Sequence, residues 1–231
     1  MLCMILVSCT GQKTGKENDN NDKIAIEVGE IKFPPQDVLQ LKSYYLSSSV
    51  HVDSIDYLIG YNYRLHSLDC MNLKSKSVTQ IVLPGDGPDA IVRLSGIYAQ
   101  SLDSVWISDE SERAFLIDSV GTIKRMIDLK KYLEDQEQLL INTNYAMFTS
   151  HLFYNASRHS LMFLVKHTPS NTFIVKEAFI DEVGKMATYQ LSSSKVVPDM
   201  SKGYAYINFP NVNFVGEILY TIILLNLLFI C

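Results

Sequence analysis

The run Asp109-Glu110-Ser111-Glu112 places three carboxylates within four residues. Two carboxylates held at a defined separation can divide acid and base roles in glycan hydrolysis. Neighbours in sequence cannot set that separation, so a working pair would need partners from other structural units. Without such partners the three acids form a solvated turn between strands. His151, His159 and His167 recur every eight residues, which raises a metal question. His159 and His167 bracket one apolar run and would stand about 26 Å apart at strand rise. They cannot share an ion, and His151 could approach His167 only diagonally across a hairpin. Gly85-Asp86-Gly87-Pro88 is glycine-rich like a phosphate cradle, but no Lys-Ser/Thr pair follows it. It reads as a loop joining two units. Asp19-Asn20-Asn21-Asp22 is rich in oxygen but lacks the spacing and closing Glu of a calcium loop. Trp106, the single tryptophan, either fills a core or offers a sugar a stacking platform. Nucleophile elbows, zinc-protease signatures and dinucleotide fingerprints are missing from the sequence. The residues therefore specify no catalytic site, no cofactor and no metal.

The elements that must carry these side chains are strands. The chain has 231 residues, of which 47% are hydrophobic, enough for a real core. Thirteen Tyr and ten Phe, with many Val, Ile, Ser and Thr, favour a pleated surface. The formal net charge is −5 with no basic cluster, which argues against a nucleic-acid partner. The four cysteines, Cys3, Cys9, Cys70 and Cys231, form no Cys-x-x-Cys pair, so a zinc ribbon or redox pair is unsupported. Cys70 lies in an expected strand and reads as a small buried residue.

The N-terminus offers one piece of chemistry. The short apolar run from Met1 ends in Leu6-Val7-Ser8-Cys9. This resembles the lipobox of bacterial lipoproteins, in which small residues expose the bond before a cysteine that is then acylated. The resemblance implies a signal peptide over 1–8 and a lipid on Cys9 that buries methylenes in a membrane. One part of the pattern is missing, because no Lys or Arg precedes Cys9. Residues 9–23 are polar and read as a flexible tether to an outer-membrane, cell-envelope location. Glu17, Asp19 and Asp22 follow Lys13 and Lys16, so surface and periplasmic orientations both stand.

A repeat organises residues 24–231. The runs "DYLIGYN", "SVWISDE", "SLMFLVK" and "EILYTII" begin at 56, 104, 160 and 217, at offsets of 48, 56 and 57. Each is preceded by another short strand: "SYYLSSS", "SGIYAQS", "HLFYN" and "VNFVG". Two further strands follow each of the first three. A four-stranded antiparallel meander recurring every 40–57 residues or so is the mark of a β-propeller. The fold class expected is all-β: three four-stranded blades and half of a fourth, in an open arc. Leu129, Leu133, Gln136 and Leu140 stand near helical spacing, which predicts a short helix over 129–142 between blades.

Residues 83–129 resemble the six-bladed, TolB-like propeller lipoproteins of Bacteroides and relatives, a group largely of unknown function. Gly85-Asp86-Gly87-Pro88, Asp103-Ser104, Asp118 and Gly121 carry the likeness. These residues shape loops and turns, so the resemblance implies a fold and a lipid anchor but no catalytic residues. Six blades of about 50 residues need about 300, so the chain is expected to be an incomplete propeller with an exposed apolar blade face. The run 23–33 is expected to supply an opening strand that would complete the last blade. Residues 218–231 form an apolar run shorter than the roughly 20 needed to span a membrane as a helix. The functions left open are a binding module for protein or glycan, a glycan-active hydrolase or lyase using rim residues, and a non-functional fragment.

Overall fold

The computed structural model describes residues 30–34, 44, 46–139, 152–170 and 172–190, and the backbone of strands within 204–229. Cys9, the tether, residues 23–29 of the expected opening strand, and His151 lie outside the described residues. Residues 30–34 form no strand. Among the described residues no helix is long and apolar enough to cross a membrane.

The first sheet is a meander of β1 (Ser47–Val52), β2 (Ile55–Asn62), β3 (Ser67–Asn72) and β4 (Val78–Val82). Its turns follow local chemistry. Asp53 and Ser54 both take positive φ, 48° and 65°, as a two-residue hairpin that matches strand twist requires. Asn72 accepts the amides of Lys74 and Ser75 through Oδ1 and turns β3 into β4. The second sheet repeats the meander with β5 (Leu94–Ser101), β6 (Ser104–Asp109), β7 (Arg113–Ile117) and β8 (Ile123–Asp128). The third is β10 (Leu152–Asn155), β11 (Ser160–His167), β12 (Thr172–Phe179) and β13 (Met186–Gln190).

The sheets meet through their first strands. β1 packs on β5, and β10 packs on β5 and β6. The Ala99 amide donates to Ser48 Oγ at 3.0 Å across the first contact. The second sheet is thereby covered on both faces, and strand alternation sorts its side chains into two cores. Val105, Ile107, Phe115 and Ile117 join Ile59, Leu68 and Ile81 of the first sheet. Trp106 and Ala114 turn the other way, to Leu161, Phe163 and Val165 of the third. Full burial of one such side chain contributes about 1.5–3 kcal/mol, so two-faced burial explains the near-continuous apolar runs of β6 and β7.

Two expectations need correction here. Over its described part, 129–139, the helix expected over 129–142 is a single 3-10 turn, Leu129–Tyr132, followed by the strand β9 (Glu137–Leu139), while 140–142 lie outside the described residues. Leu139 pairs with Val165 and Glu137 with His167, so β9 joins the third sheet as a fifth strand beside β10. The edge of β11 left open past β10 supplies hydrogen bonds that outweigh a weak helical pattern. The last unit also departs from a meander. β15 (Pro210–Val215) pairs with β16 (Ile218–Ile223), as the expected half blade requires. However, β14 (Tyr204–Ile207) pairs with β17 (Asn226–Phe229), drawn from the apolar tail, so the two pairs are nested rather than serial. The expected exposed apolar blade face is not found among the described residues. The outer face of the first sheet buries Leu58 and Met71 beside Asn62 and Asp69, and that of the third buries Met162, Leu164 and Val175.

Candidate functional site

Gly85–Pro88 and the Asp109–Glu112 run come together at one end of the first two sheets. The connector from β4 to β5 (83–93) runs between two turns. Its first residue, Leu83, donates its amide to the His66 carbonyl of the β2–β3 turn at 3.0 Å. Its last, Arg93, accepts the Glu110 amide of the β6–β7 turn at 2.9 Å. Gly85, Asp86, Gly87 and Pro88 form the exposed tip between them. Gly87 has φ of +91°, and Ile91 closes the loop by donating to the Pro84 carbonyl at 2.8 Å. Leu129 and its 3-10 turn dock here as well, through the Glu112 carbonyl at 2.9 Å.

Asp109 is the hub, and it corrects the expectation of a solvated acidic turn. Its side chain is 0% exposed. Oδ1 accepts the amides of Ser111 at 3.0 Å and Arg113 at 3.2 Å. Oδ2 accepts the Val92 amide at 3.3 Å and Arg113 Nη2 at 2.8 Å. The same Nη2 donates to the Ala90 carbonyl at 2.7 Å. A carboxylate has about four lone-pair sites, and all four are filled by the protein itself. Glu110 pairs with Arg93 at 3.1 Å, and Glu112, at φ of +63°, stands 3.5 Å from Lys130. The three acids of the run therefore serve separate ion pairs, and Asp109 has no free lone pair with which to take a proton from a substrate.

His66 belongs to the same end and carried no signal in the spacing of the other histidines. It sits at φ of +50° in the β2–β3 turn, with Nδ1 3.0 Å from the Tyr61 hydroxyl. Its buried Nε2 has no hydrogen-bond partner among the described residues. A Cβ added to Gly85 would lie 3.7 Å from its ring, so the glycine tip rests against the imidazole.

The other candidates lie apart. Trp106 is 2% exposed and stacks on Tyr154 at 6.0 Å between centroids, so it is a core residue and no sugar can reach it. His159 and His167 stand at opposite ends of β11 and its turn; His159 pairs with Asp181 at 3.6 Å and His167 with Ser170 at 2.6 Å. No group of three or more metal-binding side chains forms among the described residues. Cys70 is buried, and burial followed by the nearby Asp69 charge pushes its thiol up to about 12, away from nucleophilic use. Asp118 holds the β7–β8 turn by accepting the amides of Val120 and Thr122. Its bond to Lys124, 2.7 Å away, is the main cause that lowers its carboxyl to about 2. Gly121 ends that turn at φ of +85°, where a Cβ would stand 2.2 Å from the Val82 carbonyl oxygen. The turn residues Asp118 and Gly121 thus fit the second sheet against β4 of the first.

The third sheet hides two charges on neighbouring residues. Lys176 Nζ lies 2.9 Å from Glu137 and 3.0 Å from Glu134, which ties β9 to β12. Glu177 points to the other face and accepts from Ser160 Oγ, Tyr189 hydroxyl and Arg158 Nη1 at 2.5, 2.6 and 3.0 Å. Neither charge is left for a substrate.

No protein-family model matches this sequence, and no curated protein does. Among solved structures, the chain is similar to a member of the DUF4221 family from Bacteroides vulgatus, at 13% identity and a TM-score of 0.37. The match covers 71% of this chain and 62% of that one.

Proposed function

We propose that this chain is a cell-envelope binding module, held to a membrane by a lipid on Cys9 and built on blades of a six-bladed, TolB-like propeller. The serial contact of β1, β5 and β10 supports the propeller reading, because first strands of successive blades converge on a propeller axis. The saturated carboxylate of Asp109 carries the non-enzymatic reading. This acid, one of the three in the 109–112 run, is consumed in fastening the rim loop 84–93 to the β6–β7 turn. A rim built this way presents a fixed surface of ion pairs and an exposed Gly85–Pro88 tip, which suits recognition. The buried position of Trp106 removes the stacking platform that would favour a glycan, so a protein partner is the reading adopted.

The test combines fractionation, capture and turnover. The chain, expressed in a suitable envelope-bearing host, is expected to partition with membranes and carry acyl mass on Cys9. Cys9→Ala is expected to release it to the aqueous phase. Equal partitioning of both, without acyl mass, overturns the anchor. Cross-linked complexes from envelope extract are expected to contain a protein partner lost on deletion of residues 85–88. Cleavage of an envelope glycan, abolished by Glu110→Gln or Glu112→Gln, would instead establish the hydrolase reading.

A further inference from the structure

We propose that Gly60, Asn62, Asp69 and Gln80 form a binding site for a phenol on the outer face of the first sheet, occupied in cis by Tyr44. The site lies on the outer face of the first sheet, adjoins the β2–β3 turn through Asn62, and does not depend on the anchor or the propeller assignment.

The register builds the seat. Gly60 of β2 lies opposite Asp69 of β3, flanked along the same face by the pairs Leu58–Met71 and Asn62–Ser67. A Cβ at Gly60 would stand 2.3 Å from Tyr44 Cδ1, 2.4 Å from Cγ and 2.9 Å from Cε1. The aromatic ring therefore lies on the glycine, where no side chain fits beneath it. Gly60 is not among the residues of positive φ, so the backbone does not require glycine at this position. Space for the ring does.

The far end of the ring meets a made-to-measure acceptor. Asp69 is 0% exposed. Its Oδ2 accepts the Tyr44 hydroxyl at 2.6 Å and Asn62 Nδ2 at 3.0 Å. Its Oδ1 accepts Gln80 Nε2 at 2.6 Å. A buried carboxylate is stabilised by donors aimed at its oxygens, and a phenol is a strong, neutral one. Asn62 and Gln80 hold the carboxylate in place, and the Leu58–Met71 pair supplies apolar surface beside the ring. An apolar floor one ring wide, with a fixed anionic acceptor at its end, matches a phenol better than an aliphatic side chain or a benzene ring. Occupation by Tyr44 latches the chain entering β1 onto the outer face of the first sheet and seals Asp69 from water.

The experiment uses the full chain and p-cresol as probe, with toluene as control. Tyr44→Ala is expected to lower the thermal unfolding midpoint. Added p-cresol should restore it in a saturable way, with toluene weaker and the wild type unmoved because its site is filled. Gly60→Ala is expected to lower the midpoint as well, although alanine is intrinsically better than glycine in a strand at ordinary φ. A Gly60→Ala variant as stable as the wild type, or p-cresol acting equally on wild type and Tyr44→Ala, overturns the proposal. If Tyr44→Ala does not fold, Tyr44→Phe and Asp69→Asn are combined in a double-mutant cycle. Losses smaller together than their sum support the shared bond, and additive losses overturn it.

Discussion

The first and second sheets share a meander and differ in what covers their outer strands and faces. The second is sandwiched, and β6 and β7 send successive apolar side chains into two cores. The first sends Ile59, Tyr61, Leu68 and Cys70 towards the second sheet and keeps Asn62, Ser67 and Asp69 on its other face. Those polar groups are as deeply buried as the apolar ones. Burial in the two places rests on different physics. In the second sheet it follows the apolar area removed from water. On the outer face of the first sheet it holds because each polar atom meets a fitted partner, and removing one partner leaves a desolvated group behind.

Trp106→Ala empties the second core of its largest side chain and is expected to cost about 3–5 kcal/mol in urea unfolding. A loss below about 1 kcal/mol would mean that the second and third sheets do not share a packed core. Next is the hub acid. Asp109→Ala leaves Arg113 and three amides without their acceptor, and a loss of about 3 kcal/mol is expected. The loss should be smaller for Asp109→Asn, which keeps the shape of the group, so equal losses for the two would point to charge alone.

A smaller effect tests how the two sheets fit together. Gly121→Ala forces a Cβ towards the Val82 carbonyl at positive φ and should destabilise by about 2 kcal/mol. Gly87→Ala has a similar φ but open space around it, so about 1 kcal/mol is expected from backbone strain alone. If the order of the two is reversed, the close approach between the sheets is wrong. The smallest effect is in pH. The Asp118 carboxyl is lowered in the folded chain, so its contribution is present above its ordinary value of 3.8 and lost as pH falls through about 2. Asp118→Asn should lower stability at pH 6, flatten the profile between those values, and match the wild type below about pH 2. A wild-type profile already flat in that window would remove the Lys124 bond from the account.

The turn at residues 61–68 shows how far local reading reaches. "YNYRLHSL" (61–68) and "YNASRHSL" (154–161) are nearly the same string. Both form the same turn: Asn62 and Asn155 each accept an amide three residues on at 3.3 Å, and His66 and His159 take φ of 50° and 46°. One joins β2 to β3, and the other joins β10 to β11. The string therefore encodes the turn and says nothing of its place in the sheet. Gly85 to Pro88 were readable as a connector for the same reason. Asp109 was misread because its nearest sequence neighbours are polar, while the donors that bury it include residue 92, from another strand's approach. Lys176 and Glu177 were invisible as a buried pair because their partners at 134, 137, 158 and 189 come from separate elements.

By itself the sequence determined the repeated meander of the first three sheets and most of its turns, because period-two patterning and turn residues act over a few neighbours. It also determined that Cys70 is a small buried residue and that Asp118 and Gly121 make a turn. Only the tertiary structure decided which face of each strand would be sealed and by what. It turned an expected helix into β9, nested β14–β17 around β15–β16, and closed the carboxylates of Asp69 and Asp109 behind their donors. Burial of a charge depends on every donor that surrounds it in three dimensions, and at Asp69 one of those donors is Tyr44, 25 residues away in the chain.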